Sequence, residues 1–201
     1  MRVFILSTGR SGSKSFIKAC NHINNYTAAH ESLAKKIGPD RFDYPDSHIE
    51  ADNRLSWFLG SLDKKFGNEA FYVHLKRNKK DTANSYVKRW TYQGNILKAF
   101  SEGILLQGYK KHSDEEKLII TENFIQTVED NISAFLKDKP NKMVMNLENI
   151  TEDFAHFYEA INAKGNLEEA IISFNTPNNT CLLYTSPSPR DQRGSRMPSS
   201  A

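Results

Sequence analysis

The stretch "LSTGRSGSKSF", Leu6 to Phe16, decides how the chain is read. Val3, Phe4 and Ile5 lead into it, and Phe16 and Ile17 open an apolar run after it. Within it stand two glycines (Gly9, Gly12), two cations (Arg10, Lys14) and five hydroxyl side chains (Ser7, Thr8, Ser11, Ser13, Ser15). A turn needs one glycine and no cation. The pattern predicts a short buried strand over Arg2 to Ser7, a glycine-bearing loop, and a helix from Ser13 to about Asn24. In that order the unpaired N–H groups of the first helical turn, and the positive end of its dipole, face the loop. The composition is that of a seat for an anion, phosphate being the usual one.

Working outward, the same alternation repeats. Tyr26 to Ala29, Phe71 to Leu75 and Lys142 to Leu147 read as further strands. Ser47-His48-Ile49-Glu50 has the form of a capping box, with Leu55, Phe58, Leu59, Leu62 and Phe66 following at helical spacing. A helix is expected over Lys79 to Trp90, broken helix over 91–112, and a long helix opened by a second capping box at Ser113 to Glu116. A helix capped by Thr151 and a short one over Leu167 to Phe174 follow. Trp57 and Phe58 read as core, His74 as a packed residue inside a strand, and His22 and His48 as helix-surface residues. Trp90 and Tyr92 read as packing residues that could also line a cleft. Strands alternating with helices imply an α/β domain: three layers, α/β/α, around a mainly parallel sheet. Ligands of such sheets sit at the carboxyl ends of the strands. Residues 8–15, 30–31 and 76–85 each follow an expected strand, so they are expected to share one sheet edge.

The bulk numbers narrow the function classes. The 201 residues are enough for one domain with a real core. The formal net charge is +3, but three arginines and one aspartate of that count lie in 182–201, leaving 24 basic against 23 acidic residues before it. This balance offers no stripe for nucleic acid and no basic face for a membrane. Two cysteines, Cys20 and Cys181, make neither a disulfide framework nor a metal cluster, and a reducing, cytoplasmic setting is expected. No run approaches the roughly 18 apolar residues of a membrane span, and the N-terminus has no signal-peptide pattern. Four N-x-[ST] matches, at Asn25, Asn131, Asn149 and Asn178, read as background. From Leu182 the chain turns Ser/Pro/Arg-rich, "LLYTSPSPRDQRGSRMPSSA". That composition cannot build a core. It resembles the translated adapter or vector tails of some transcriptome-assembled proteins, so 1–181 is expected to be a C-terminally incomplete domain and 182–201 a disordered, non-native tail.

The opening loop fails the Walker A pattern twice, since Ser7 stands where the first Gly belongs and Ser13 intervenes before Lys14. No expected apolar strand ends in an Asp that would hold Mg²⁺. Arg10-Ser11-Gly12-Ser13 instead resembles the 5′-phosphosulfate loop of sulfotransferases, [KR]-S-G-[TS], the enzymes that use 3′-phosphoadenosine 5′-phosphosulfate (PAPS). The stretch "FYVHLKRNKKDTANSYVKRW", residues 71–90, is similar to the second half of the family's signature. There a strand ends in an Arg, an Asp-containing turn follows, and then a Ser before an aromatic. Arg77, Asp81, Ser85 and Tyr86 match in order and spacing. A 3′-phosphate is a dianion, best gripped by a guanidinium fork plus a hydroxyl. Leu147-Glu148-Asn149-Ile150 resembles the family's last strand exit. The likeness covers residues 1–160 or so.

The resemblance implies a P-loop NTPase-like sulfotransferase fold and a PAPS-dependent transferase of a sulfuryl group to a hydroxyl or amine, without metal. It places the donor on Gly9, Arg10, Ser11, Gly12, Ser13, Lys14 and Ser15, with Arg77 and Ser85 on the 3′-phosphate. Arg10 is expected to stabilise charge growing on the bridging oxygen, assisted by Lys14; a guanidinium cannot give up a proton. Glu31, in "AHES" after the second strand, is the candidate base, by likeness to protein-tyrosine sulfotransferases; His30 is the next candidate, and the plainer alternative makes 30–32 a loop with Ser32 as a helix cap. The late basic segment with which the family closes over its nucleotide has no counterpart before residue 181. The acceptor, whether small molecule, carbohydrate or protein, and the oligomeric state are left open. Two other readings stand beside this one: a P-loop kinase or NTPase relative resting on Lys14-Ser15, and a non-catalytic nucleotide-binding fragment.

Overall fold

Five short strands lie side by side in the order β2-β3-β1-β4-β5, every neighbouring pair parallel. They are β1 (Arg2–Leu6), β2 (Thr27–His30), β3 (His48–Ala51), β4 (Phe71–Lys76) and β5 (Lys142–Asn146). This is a computed structural model, and it describes residues 1–92, 94–108 and 112–174. The tail expected at 182–201 lies outside the described residues, as does Cys181.

The strand at the centre explains the layers. In β1, Phe4 and Leu6 point into one core, with Tyr72 of β4, while Val3 and Ile5 point into the other, with Ile49 of β3 and Val73 of β4. All four β1 side chains are fully buried, each worth about 1.5–3 kcal/mol relative to exposure. The first face is covered by α2 (Leu59–Phe66), α3 (Lys79–Val87), α4 (Ile96–Ala99) and α5 (Asp114–Leu136); the second by α1 (Ser13–Cys20), α6 (Ile150–Ala160) and α7 (Leu167–Phe174). The expected three-layer α/β/α fold is therefore present. The helix after β1 lies on one face and the helix after β4 on the other, so a crevice opens between these two neighbouring strands at their carboxyl ends.

Several expectations require correction. Ser47 to Glu50 is not a capping box: Ser47 sits at φ 51 and His48 to Ala51 form β3, buried throughout. The acidic residue that looks like a capping partner is a strand residue. Glu50 is wholly buried and accepts hydrogen bonds from the Ser32 N–H (2.8 Å) and the Ser32 hydroxyl (2.5 Å), with His48 Nε2 at 3.1 Å. His48 is thus a buried strand residue and not on a helix surface. The helix expected through Leu55 to Phe66 is a 3₁₀ turn, Asn53–Trp57, followed by α2, with Phe58 at the break. Phe58 is 43% exposed, under the Arg41 guanidinium (5.8 Å), rather than in the core. Residues 91–112 hold only α4 and a π-turn, Phe100–Ile104, among those described. The cap of α6 is Asn149 rather than Thr151.

Candidate functional site

Because all five strands run the same way, their carboxyl ends meet at one edge. The loop after β1 turns there through three left-handed residues, Gly9 (φ 84), Arg10 (φ 59) and Gly12 (φ 86). Such a turn is close to free for glycine and strained for Arg10. Both glycines are also sterically required. A Cβ on Gly9 would stand 2.5 Å from the Tyr86 hydroxyl and 2.9 Å from Asn53 Nδ2; one on Gly12 would stand 2.6 Å from Leu147 Cδ1. Loop carbonyls are held from both sides. Tyr86 donates its hydroxyl to the Thr8 carbonyl (2.6 Å), and Ser56 donates to the Ser7 carbonyl (3.1 Å). Burial pushes the Tyr86 phenol up, keeping it a donor.

Gly12 caps α1 in the left-handed conformation; no side chain caps that helix and no acidic residue stands in its first turn. Helix α5, by contrast, has a full capping box and three acids there. An α1 left without protein anions at its positive end suits a bound anion. Ser11, one residue earlier, has a buried hydroxyl with no hydrogen-bond partner among the described residues.

The two segments of the sequence signature meet directly. Arg10 donates Nε–H to the Ser85 hydroxyl (3.0 Å), and Arg77 donates from Nη1 to the Arg10 carbonyl (3.2 Å). Asn78 caps α3, holding the amides of Lys80 (3.0 Å) and Asp81 (3.2 Å), and Glu148 accepts from the Asn78 N–H (2.7 Å). These bonds fix Arg77 at the strand exit and Ser85 two turns into the helix. A third guanidinium joins them: burial and then the charge of Arg89 pull the Arg10 pKa down, with Tyr86 opposing and Arg77 adding to the fall. Arg89 follows Ser85 by four residues, the spacing of one helix face. The sequence pattern did not single out Arg89; its spacing from Ser85 was the available signal. Among the described residues no carboxylate forms an ion pair with Arg10, Arg77 or Arg89. Arg10 and Arg77, joined at the loop and without protein anions, match the needs of a phosphate dianion, and the charge of Arg89 adds to theirs.

The end of β2 supplies the opposite wall. His30 Nε2 lies 3.0 Å from the Ser13 hydroxyl. Burial lowers the His30 pKa, against the pull of Glu31 and with the help of Lys14, so the imidazole is neutral at pH 7. Glu31 stands at φ 54 and pairs with Arg54 (3.0 Å). Ser32 caps no helix; both its amide and hydroxyl are spent on Glu50. Lys14 is exposed on the first turn of α1. The loop and Arg77/Ser85 are thus joined by hydrogen bonds, and His30 is joined to the loop; Glu31 is engaged with Arg54.

One premise of the sequence reading is corrected here. A strand beside β1 does lead into an aspartate, Asp52, which immediately follows β3. It is fully buried, ion-paired with Arg41, and accepts from the Arg54 N–H (2.8 Å), so its oxygens are already engaged. Among the described residues no helix is long and apolar enough to cross a membrane.

The fold is an α/β domain built on one parallel five-stranded sheet, with a crevice at the strand ends. No family model matches the chain, and no curated protein matches it in sequence. Among solved structures it is similar to mouse sulfotransferase SULT7A1 complexed with PAP, with a TM-score of 0.59 and 13% identity over 86% of this chain. The chain spans 64% of that neighbour's length. At such identity the likeness shows the fold.

Proposed function

We propose that the chain is a sulfotransferase that takes PAPS as donor and a hydroxyl or amine as acceptor. The observation carrying the reading is the bonded set Ser85–Arg10–Arg77, which joins the loop to the second basic turn at one crevice. PAPS, when bound, supplies a sulfuryl group on a good leaving group, the 5′-phosphate. Gly9, Arg10, Ser11, Gly12, Ser13, Lys14 and Ser15 would hold its 5′ end, and Arg77 and Ser85, with Arg89, its 3′-phosphate. The two glycines let the loop turn left-handed while Tyr86, Asn53 and Leu147 pack against it where a Cβ would clash. Arg10 and Lys14 offset negative charge at the reacting end without moving a proton. His30 takes the acceptor proton: it is neutral at pH 7 and tied to the loop through Ser13. Glu31, the base expected from the family likeness, is paired with Arg54 and orients the acceptor beside it. A cytoplasmic setting belongs to the same proposal and is supported by cysteine usage; Cys20 is buried with its thiol pushed well up, hence inert.

Calorimetry of PAP, the 3′,5′-bisphosphate product, against AMP and ATP–Mg²⁺ tests the reading. PAP is expected to bind best without Mg²⁺, and Arg77→Ala to lose about 10- to 100-fold of that preference, the worth of one charged hydrogen-bonding partner. Tight ATP–Mg²⁺ binding that ignores Arg77→Ala would instead establish a kinase or NTPase relative. PAP binding without transfer to any acceptor would establish a non-catalytic module.

A further inference from the structure

Beside the crevice lies a cleft of about 570 Å³ lined by Glu31, Ser32, Ala34, Lys35, Lys36 and Arg54. Its walls are pinned. Ser32 is bonded twice to buried Glu50, and Leu33 packs on the core, so the turn carrying Lys35 and Lys36 is anchored at its base. Arg54 comes from the turn after β3, whose Asn53 side chain abuts Gly9 of the phosphate loop. The cleft therefore opens next to the loop and one residue from His30.

Its chemistry is one-sided. Arg54 pairs with Glu31, whereas Lys35 and Lys36 are exposed and have no ion-pair partner among the described residues. Three cations against one carboxylate leave the lining net positive. The one apolar side chain lining it is Ala34. A phenol, free or in a tyrosine peptide, wants aromatic or branched aliphatic side chains against its ring, and none lines this cleft. A polar, hydroxyl-rich molecule carrying its own negative charge fits these walls: Lys35 and Lys36 meet the anion while Glu31 accepts from a hydroxyl.

We infer that the acceptor is an acidic saccharide, bound in this cleft by Lys35 and Lys36. The inference rests on the sulfotransferase reading, and the experiment separates the two. On the full chain, PAP binding is measured first by calorimetry. PAP-loaded protein is then titrated with a glucuronate–N-acetylglucosamine disaccharide, its carboxyl-reduced neutral form, 4-nitrophenol and an acidic tyrosine peptide. The uronate form is expected to bind at least about tenfold tighter than the neutral form, a step of about 1.4 kcal/mol. The Lys35→Gln/Lys36→Gln variant is expected to lose that preference while keeping PAP affinity and its circular dichroism spectrum. Absence of PAP binding overturns the donor reading and this inference with it. PAP binding with equal affinity for both disaccharides, tighter binding of the phenol or the peptide, or a preference unchanged in the lysine variant overturns the inference alone.

Discussion

Gly12 carries two constraints at once, a left-handed backbone and a side-chain wall. Its φ is 86 and the Leu147 methyl stands where a Cβ would go. Gly12→Ala should cost about 1–3 kcal/mol from backbone strain, and more from overpacking. Leu147→Ala should relieve only the second part, so the two changes should couple favourably in urea unfolding of the double-mutant cycle; strict additivity would mean that Leu147 does not wall the loop. His74 states a second residue-scale consequence. Burial in β4, with Lys76 adding, pushes its pKa down to about 4 from the ordinary 6.5. The unfolded chain then binds a proton that the folded chain refuses, so stability is full above pH 6.5 and falls as the pH drops toward 4. The loss amounts to about 3 kcal/mol. His74→Gln should flatten the pH dependence of the urea midpoint across that window. The sequence showed His74 as packed because it interrupts an apolar strand; it could not show Glu31 paired with Arg54, because that partner arrives from the turn after a strand the pattern did not reveal.

At the scale of elements, the contrast between α1 and α5 separates function from stability. Helix α5 begins with a complete capping box, Ser113 holding the Glu116 amide (3.2 Å) and Glu116 holding the Ser113 amide (2.7 Å). Ser113→Ala should destabilise by about 1 kcal/mol in chemical denaturation and leave PAP affinity unchanged, since its capping bonds lie exposed at the start of α5 and involve no residue of the loop. Helix α1 has no such cap and no acidic residue in its first turn. Both features were readable, one as a capping motif and one as a loop too rich in cations for a turn. Strand β3 was not readable. Four residues, His48 to Ala51, include two ionisable side chains, and only pairing between β1 and β2 makes them a strand. Their polar atoms find partners across chain distances that no local pattern reports, such as Glu50 with Ser32.

For the whole molecule, one parallel sheet brings residues 30, 54, 77 and 147 around residues 7–12, so a ligand in the crevice should stabilise the entire domain. PAP at a hundredfold its Kd should add about 2.7 kcal/mol, a rise of about 5–10 °C in Tm for a chain of this size. Arg77→Ala should show little of that rise at the same PAP concentration in a thermal melt. The sequence by itself determined the layered α/β class, the glycine-bearing loop at the first strand exit and the Arg77–Ser85 turn, because alternation, glycine placement and residue spacing are local. Only the tertiary structure decided that β3 stands between β1 and β2, that Arg10 is tied to Ser85 and Arg77, that Arg89 adds its charge beside Arg10, and that a basic cleft opens beside His30. Each of those depends on contacts between segments from 17 to 79 residues apart, which hydrogen bonding and charge select once the sheet has formed.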